Sequence, residues 1–208
     1  MAEHPYDDIR IEAPESGASV RRNVPMFFGA APGDPQLGTN LLSALGDDLL
    51  HAASSIAPAH PLSARIDILG DRRITVSVAQ PHRWTASDSP TLGPSGSLLG
   101  NEWWSLSALA ALSAAVTVEL WCDGRGFRQQ CSGLRPLGAV QDFLPPDGSG
   151  TRVSLTLDPA CIGPDVAIPT ELDGLNLHGP FCTAPPGPGR LLIRDHRQGP
   201  AARDIRYR

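Results

Sequence analysis

Residues that can move protons or hold a small organic molecule occur in three short stretches of this chain. His82 lies within Gln-Pro-His-Arg-Trp at 80–84, two adjacent tryptophans follow an acidic residue in 101–105, and Asp48 and His51 lie close together. Histidine is the side chain best suited to proton transfer near neutral pH, and a neighbouring carboxylate completes a general acid–base pair. Aromatic walls with a few polar groups are typical of a small-molecule pocket.

The composition excludes several other kinds of chemistry. All 17 basic residues are arginine. Without lysine there is neither a Schiff-base nucleophile nor the lysine of a P-loop phosphate site. The four cysteines have no metal-binding spacing, so we expect free thiols, no metal and no cofactor; they are Cys122, Cys131, Cys161 and Cys182.

Length and charge indicate one globular domain without nucleic-acid or membrane partners. A chain of 208 residues fits a single domain over 1–208. Its net charge is −5 and its charges are interspersed, unlike the basic stripe of a nucleic-acid-binding face. The N-terminus lacks the apolar region of a signal peptide, and no apolar run approaches membrane-spanning length. We therefore expect a cytoplasmic protein, with 198–208 as a solvated tail.

The hydrophobic pattern predicts an α+β chain that must position these residues. Apolar residues at helical spacing predict helices over 37–56 and 102–114. Short β-branched stretches between turns predict strands over 64–69, 74–78, 116–122, 127–131, 151–157 and, as the last strand, 191–194. Segments rich in proline and glycine are expected to be irregular, namely 1–30, 80–101 and 158–188. The Asp-Gly-Arg-Gly stretch at 123–126 is expected to be a hairpin turn.

Three stretches, in order and spacing, resemble landmarks of a known ATPase family. They read IEAPESGASVRRNVPMFFG at 11–29, ITVSVAQPHRW at 74–84 and DGSGTRVSLTL at 147–157. They resemble the leading segment, the strand before D-D-G-R-G and the late G-T-x-V strand of the ATPase domain of DNA gyrase B, a GHKL-type (Bergerat-fold) ATPase. The resemblance implies an α+β fold: a two-layer α/β sandwich, with a mixed sheet and helices on one face.

The residues that bind and split ATP in that family are mostly replaced here. The resemblance puts Ala44 where the family has its water-activating Glu, and Asp48 where the family has its magnesium-binding Asn. Gln80 stands where the family Asp reads the adenine amino group, and the glycines of the phosphate-binding lid are lost in 100–105. Only Thr151 matches the family threonine that helps to read adenine. Because alanine cannot act as a general base, the resemblance implies neither an ATPase nor a topoisomerase.

If the fold is shared, ten residues surround the old nucleotide pocket. They are Asp48, His51, Gln80, His82, Arg83, Trp84, Glu102, Trp103, Trp104 and Thr151. We predict that His82 transfers a proton with Asp48 or Glu102 as its acidic partner, and that the other residues bind the substrate. The alternative is a plug, in which bulky residues pack a dead pocket and Arg83 pairs with Asp48.

Three functions fit this pattern. We favour a cofactor-independent cyclase or isomerase of specialised, natural-product metabolism, acting on a small-molecule substrate. The second is a non-catalytic ligand-binding or resistance protein, and the third is a pseudo-ATPase acting through protein contacts, for example as a homodimer. A roomy pocket with a buried His–carboxylate pair favours the enzyme, and a pocket without one favours the binding protein. A filled pocket beside an exposed apolar face favours the pseudo-ATPase.

Overall fold

One mixed sheet organises the part of the chain that the computed structural model describes, which is residues 16–50, 63–80, 90–93, 95–100, 103–172, 175, 177, 190–197 and 203–207. Its strands there are β1 (Ser63–Gly70), β2 (Arg73–Val78), β3 (Ser113–Cys122), β4 (Arg125–Ser132), β5 (Arg135–Pro136), β6 (Gln141–Phe143), β7 (Gly150–Leu157), β8 (Arg190–Asp195) and β9 (Arg203–Tyr207). The order across the sheet is β5-β4-β3-β7-β2-β1-β8-β9, and β6 pairs with β4. Strands β1 and β8 run parallel, whereas β1 and β2 run antiparallel.

The helices cover one face of this sheet. They are α1 (Ser16–Arg22), α2 (Val24–Phe28), α3 (Leu37–Leu50), α4 (Trp104–Ala111) and α5 (Pro159–Ile162). Leu41 and Leu45 of α3 are fully buried, as the helical spacing of its leucines predicts. They share one hydrophobic core with Ile66 of β1, Val76 of β2 and Val153 of β7. The expected two-layer α/β sandwich, with helices on one face of a mixed sheet, is confirmed.

The other face of the sheet, called here the open face, carries mostly polar side chains. Successive side chains of a strand point to opposite faces, so the neighbours of the core residues face away from the helices. Arg65, Ser77, Arg152 and Glu119 form one row across β1, β2, β7 and β3. Glu119 accepts from Arg152 at 3.1 Å and from Arg128 of β4 at 2.7 Å. The sheet therefore has two chemically different faces.

The prediction that 1–30 is irregular is wrong for its described part, which forms α1 and α2. Pro25 lies in the first turn of α2, where its missing N–H costs no helical hydrogen bond. Gly29 ends this helix with a φ of 68°, the left-handed conformation that favours glycine at a helix C-terminus. Here proline and glycine mark the two ends of a helix.

The hairpin predicted across 123–126, β3 with β4, is confirmed, and β1 and β2 form a second hairpin. The turn between β3 and β4 contains Asp123 with a φ of 51° and Gly124 with a φ of 76°. Two positive φ values in succession fit the two-residue turn that matches the twist of a hairpin. The Asp-Gly-Arg-Gly stretch is therefore a turn, as expected.

Two predicted boundaries are wrong. The second helix ends at Ala111, because Ser113 already belongs to β3. The strand at 191–194 is not the last one, since β9 pairs antiparallel with β8 inside the segment expected to be a solvated tail. Charged residues are common on edge strands, and here they hid the strand. The helix predicted over 37–56 corresponds to α3, which is described as far as Leu50.

In the described part, no helix has the length and apolar character needed to cross a membrane.

The position of α3 can be tested at Gly38, where a Cβ would overlap the carbonyl oxygen of Ala167. We expect Gly38→Ala to lower the free energy of unfolding by about 1–3 kcal/mol, because an overpacked side chain forces the helix to shift. Urea denaturation measures this change. Gly138→Ala is the matched control, since a Cβ there meets nothing within 4 Å. Equal stability of the two variants would contradict this packing of α3.

Candidate functional site

A buried hydrogen-bonded cluster lies where β2 ends and α4 begins. The side-chain oxygen Oε1 of Gln80 accepts from the indole Nε1 of Trp103 at 3.2 Å and from the hydroxyl of Thr151 at 3.3 Å. Gln80, Trp103 and Thr151 are 8%, 3% and 5% exposed, respectively. The hydroxyl of Ser149 also donates to the backbone oxygen of Gln80 at 2.8 Å. The protein's own side chains therefore occupy the Gln80 oxygen, and we call these three buried residues the Gln80 cluster.

Register and helix geometry bring the Gln80 cluster together. Thr151 lies opposite Val78 in the β2–β7 pairing, and Val78 lies two residues before Gln80 in the chain. Trp103 directly precedes α4 and packs in the helix-side core. Since Val153, two residues along β7 from Thr151, belongs to the same core, the Gln80 cluster lies on the helix side of the sheet.

Asp48 binds the first turn of α4 from the last turn of α3. Its Oδ2 accepts from the backbone N–H of Ser105 at 3.1 Å and from the Ser105 hydroxyl at 2.6 Å. A carboxylate stabilises a helix N-terminus, where N–H groups lack helical partners. Burial raises the pKa of Asp48, and the hydrogen bonds from Ser105 only partly oppose that effect. In the described structure Asp48 thus joins two helices.

The structure brings together some of the residues predicted for the site. Gln80, Trp103 and Thr151 touch one another, and Asp48 contacts Ser105, two residues after Trp103. Trp104 is 48% exposed and lies outside this buried cluster. The remaining predicted residues lie outside the described part of the chain, so their roles stay predictions; they are His51, His82, Arg83, Trp84 and Glu102. Among described residues, no three His, Cys, Asp or Glu side chains form a group able to hold a metal.

A cavity of about 620 Å³ lies at the opposite side of the sheet and was not predicted. Its lining includes Arg65, Ser77 and Arg152, from the polar row of the open face, together with Trp121 and Asp147. A volume of this size suits a drug-sized organic molecule.

The sequence did contain one signal for this cavity. Trp121 alternates with Glu119 and Thr117 on β3, which places it on the open face. It is nevertheless 7% exposed and does not belong to the helix-side core. A large aromatic side chain among polar neighbours on the outward face of a strand indicates a local apolar wall there. The polar row beside Trp121 could not be predicted in the same way, because it depends on pairing between strands that are distant along the chain.

The sheet, the helices on one face and the Gln80 cluster define a two-layer α/β domain. Its fold is similar to that of a solved structure, the 43K ATPase domain of Thermus thermophilus gyrase B in complex with an aminocoumarin. The TM-score is 0.60 at 16% sequence identity, and the match covers 92% of this chain and 50% of that chain. This chain thus has a gyrase B-like GHKL fold and spans half the length of that domain. No family model and no curated protein matches the chain.

The buried position of Asp48 gives a test through pH. Because burial raises its pKa, the folded protein holds this proton more tightly than the unfolded chain. The resulting stabilisation is present at acid pH and is lost as the pH rises from about 4 through the raised pKa. Asp48→Asn keeps an oxygen acceptor for Ser105 and removes the charge. Its stability relative to the wild type should therefore increase between about pH 4 and pH 7.

Urea unfolding of both proteins across this range measures the effect. Asp48→Ala is the control, because it removes the acceptor for Ser105 and should be less stable than Asp48→Asn at every pH. If the difference between the wild type and Asp48→Asn does not change with pH, the described environment of Asp48 is wrong.

Proposed function

We propose that this chain is a gyrase B-like domain that does not bind ATP and that binds a small organic ligand without catalysing a reaction. The observation that carries the first half is the hydrogen bond from the Trp103 indole to Oε1 of Gln80. In the family resemblance, Gln80 stands where an Asp reads the adenine amino group. Here the chain's own indole N–H supplies the donor that adenine would supply.

A nucleotide would have to displace this indole before it reached Gln80. Displacement would break the buried hydrogen bond from Trp103 to Gln80 and leave the Trp103 N–H without this partner, and an unsatisfied buried group costs about 1–3 kcal/mol. It would also expose part of a ring that is now 3% exposed, which adds an unfavourable hydrophobic contribution. The replacement of the catalytic Glu by Ala44 further supports a domain without ATP hydrolysis.

The second half of the proposal, non-catalytic ligand binding, is supported by the open-face cavity. The described lining of this cavity contains no histidine. A His–carboxylate pair does occur elsewhere on the sheet, with Nε2 of His196 at 2.9 Å from Asp67, but neither residue is part of that lining. Histidine is the commonest general acid or base in proton-transfer catalysis, so we prefer binding to the cyclase or isomerase function. The cyclase or isomerase function depends on His82, which lies outside the described residues.

Isothermal titration with a non-hydrolysable ATP analogue and Mg²⁺ tests the loss of ATP binding. We expect no binding at micromolar concentrations, because the Gln80 oxygen already has two donors. Micromolar affinity in the wild-type protein would contradict the proposal.

The hydrogen bond that carries the proposal can be tested by a matched pair of substitutions. Trp103→Phe keeps an aromatic ring but removes the N–H donor to Gln80, and we expect it to lower the free energy of unfolding by about 1 kcal/mol. Trp104→Phe is the control, since Trp104 is 48% exposed and should be replaced without a comparable loss. Thermal and urea unfolding give both values, and equal effects of the two substitutions would count against the described cluster.

A further inference from the structure

We infer that the open-face cavity is a binding site for a planar, mostly apolar molecule that carries one carboxylate. The site lies on the opposite side of the sheet from the Gln80 cluster. The inference rests on the proposed ligand-binding function and is independent of whether the chain binds ATP.

Two buried polar atoms without partners point to a ligand in this cavity. The hydroxyl oxygen of Ser77 and the indole Nε1 of Trp121 are buried and have no hydrogen-bond partner among the described residues. Both residues line the cavity. Buried polar groups are hydrogen-bonded in the great majority of proteins, so a ligand that supplied a partner to either atom would add a hydrogen bond that the described residues do not make. An indole N–H can only donate, so the missing partner is an acceptor.

The row of side chains around Ser77 favours an acceptor with a negative charge. Arg65 and Arg152 lie on the strands to either side of Ser77, each opposite it in register. Their side chains are 43% and 37% exposed. Arg65 uses Nε to bind Asp67 at 2.7 Å, and Arg152 uses one terminal nitrogen to bind Glu119 at 3.1 Å. A guanidinium has five N–H donors, so each arginine can also bind a carboxylate above Ser77.

The charge balance favours a single negative charge. Both arginines already bind a carboxylate of the protein, which leaves only part of their charge for a ligand. The lining also contains Asp147, whose exposed carboxylate would repel a second negative group. A dianion such as a phosphate ester therefore fits less well than a monocarboxylate.

The remaining lining favours a flat apolar body. Trp121 forms one wall, and the guanidinium carbon of Arg152 lies 5.5 Å from the centre of its ring, a cation–π contact that fixes the indole. A Cβ on Gly150 would overlap the Trp121 ring, so the glycine allows the indole to lie against β7. Pro146 and Leu192 complete the apolar part of the lining. A flat apolar ring can pack against Pro146 and Leu192 in this lining while its carboxylate lies near Ser77.

Calorimetric titration of the full chain with 2-naphthoate and with its neutral analogue 2-naphthamide tests this inference. We expect 2-naphthoate to bind the wild type at least tenfold more tightly than the amide, because only the acid offers a charged acceptor. Ser77→Ala and Trp121→Phe each remove one donor and should weaken 2-naphthoate about tenfold. Arg73→Gln is the control, since Arg73 lies on the same strand and face as Ser77 but about 13 Å away, and it should bind as the wild type does.

The stability of the free variants gives a second readout. Because the Ser77 hydroxyl has no partner in the described structure, Ser77→Ala should keep or raise the Tm while it weakens binding. Loss of both Tm and binding would point to a purely structural role for Ser77 and would overturn the inference.

Three further results would also overturn it: equal affinity for the acid and the amide, no binding of 2-naphthoate, or wild-type affinity in both Ser77→Ala and Trp121→Phe. If those two variants bind normally and Trp103→Phe does not, the ligand occupies the helix side, and the proposed function survives without this site. ATP binding by the wild type would contradict the proposed function, but it would not contradict ligand binding at the open-face site.

Discussion

A buried side-chain amide must find hydrogen-bond partners, and in this protein Gln80 finds them within its own chain. Its oxygen accepts from Trp103 and Thr151, which ties the end of β2 to the beginning of β7 and to the residue before α4. Asp48 makes a parallel connection from α3 to the first turn of α4. Together these bonds fix how the two main helices sit on the sheet.

The alternation of side chains along the strands then separates two environments. The face beneath the helices is filled by one hydrophobic core, and the Gln80 cluster adjoins it through Trp103. The open face carries the row that includes Arg65, Ser77 and Arg152, with Trp121 beside it. The sheet therefore carries a closed, hydrogen-bonded cluster on one face and, on the other, a cavity lined by two residues with buried polar atoms that have no partner among the described residues. Alternate side chains of the same strands face the two sides, although Ala64, Val78 and Leu191 belong to the core and also line the cavity.

Much of the fold could be predicted, because the dominant signals are local. The leucines of α3 repeat at helical spacing, and the hairpins have short turns rich in glycine, aspartate or arginine. The resemblance in three stretches added the layer order. The prediction is wrong where one local signal has two meanings: Pro25 and Gly29 delimit a helix, although proline and glycine also mark irregular segments. The charged strand β9 was hidden because its pairing with β8 is a tertiary contact.

The candidate sites were harder to predict, since they depend on which distant side chains meet. The resemblance placed Gln80, Trp103 and Thr151 around one pocket, but only the structure shows that they bind one another. Trp104, adjacent to Trp103, is instead 48% exposed. Which of two adjacent tryptophans is buried cannot be predicted from the amino-acid composition. The open-face cavity depends on the register of four strands, and the lack of partners for Ser77 and Trp121 among the described residues appears only in three dimensions. Neither property is visible in a linear sequence.

The occupation of Gln80 by Trp103 is the central claim, and the indole N–H signal of Trp103 in a ¹H–¹⁵N NMR spectrum tests it most directly. The signal can be assigned by its loss in Trp103→Phe. A buried, hydrogen-bonded indole N–H should exchange slowly with deuterated water, and its chemical shift should not change when ATP and Mg²⁺ are added. Rapid exchange in the free protein, or a shift of this signal on addition of the nucleotide, would contradict the claim that the protein's own tryptophan closes this position.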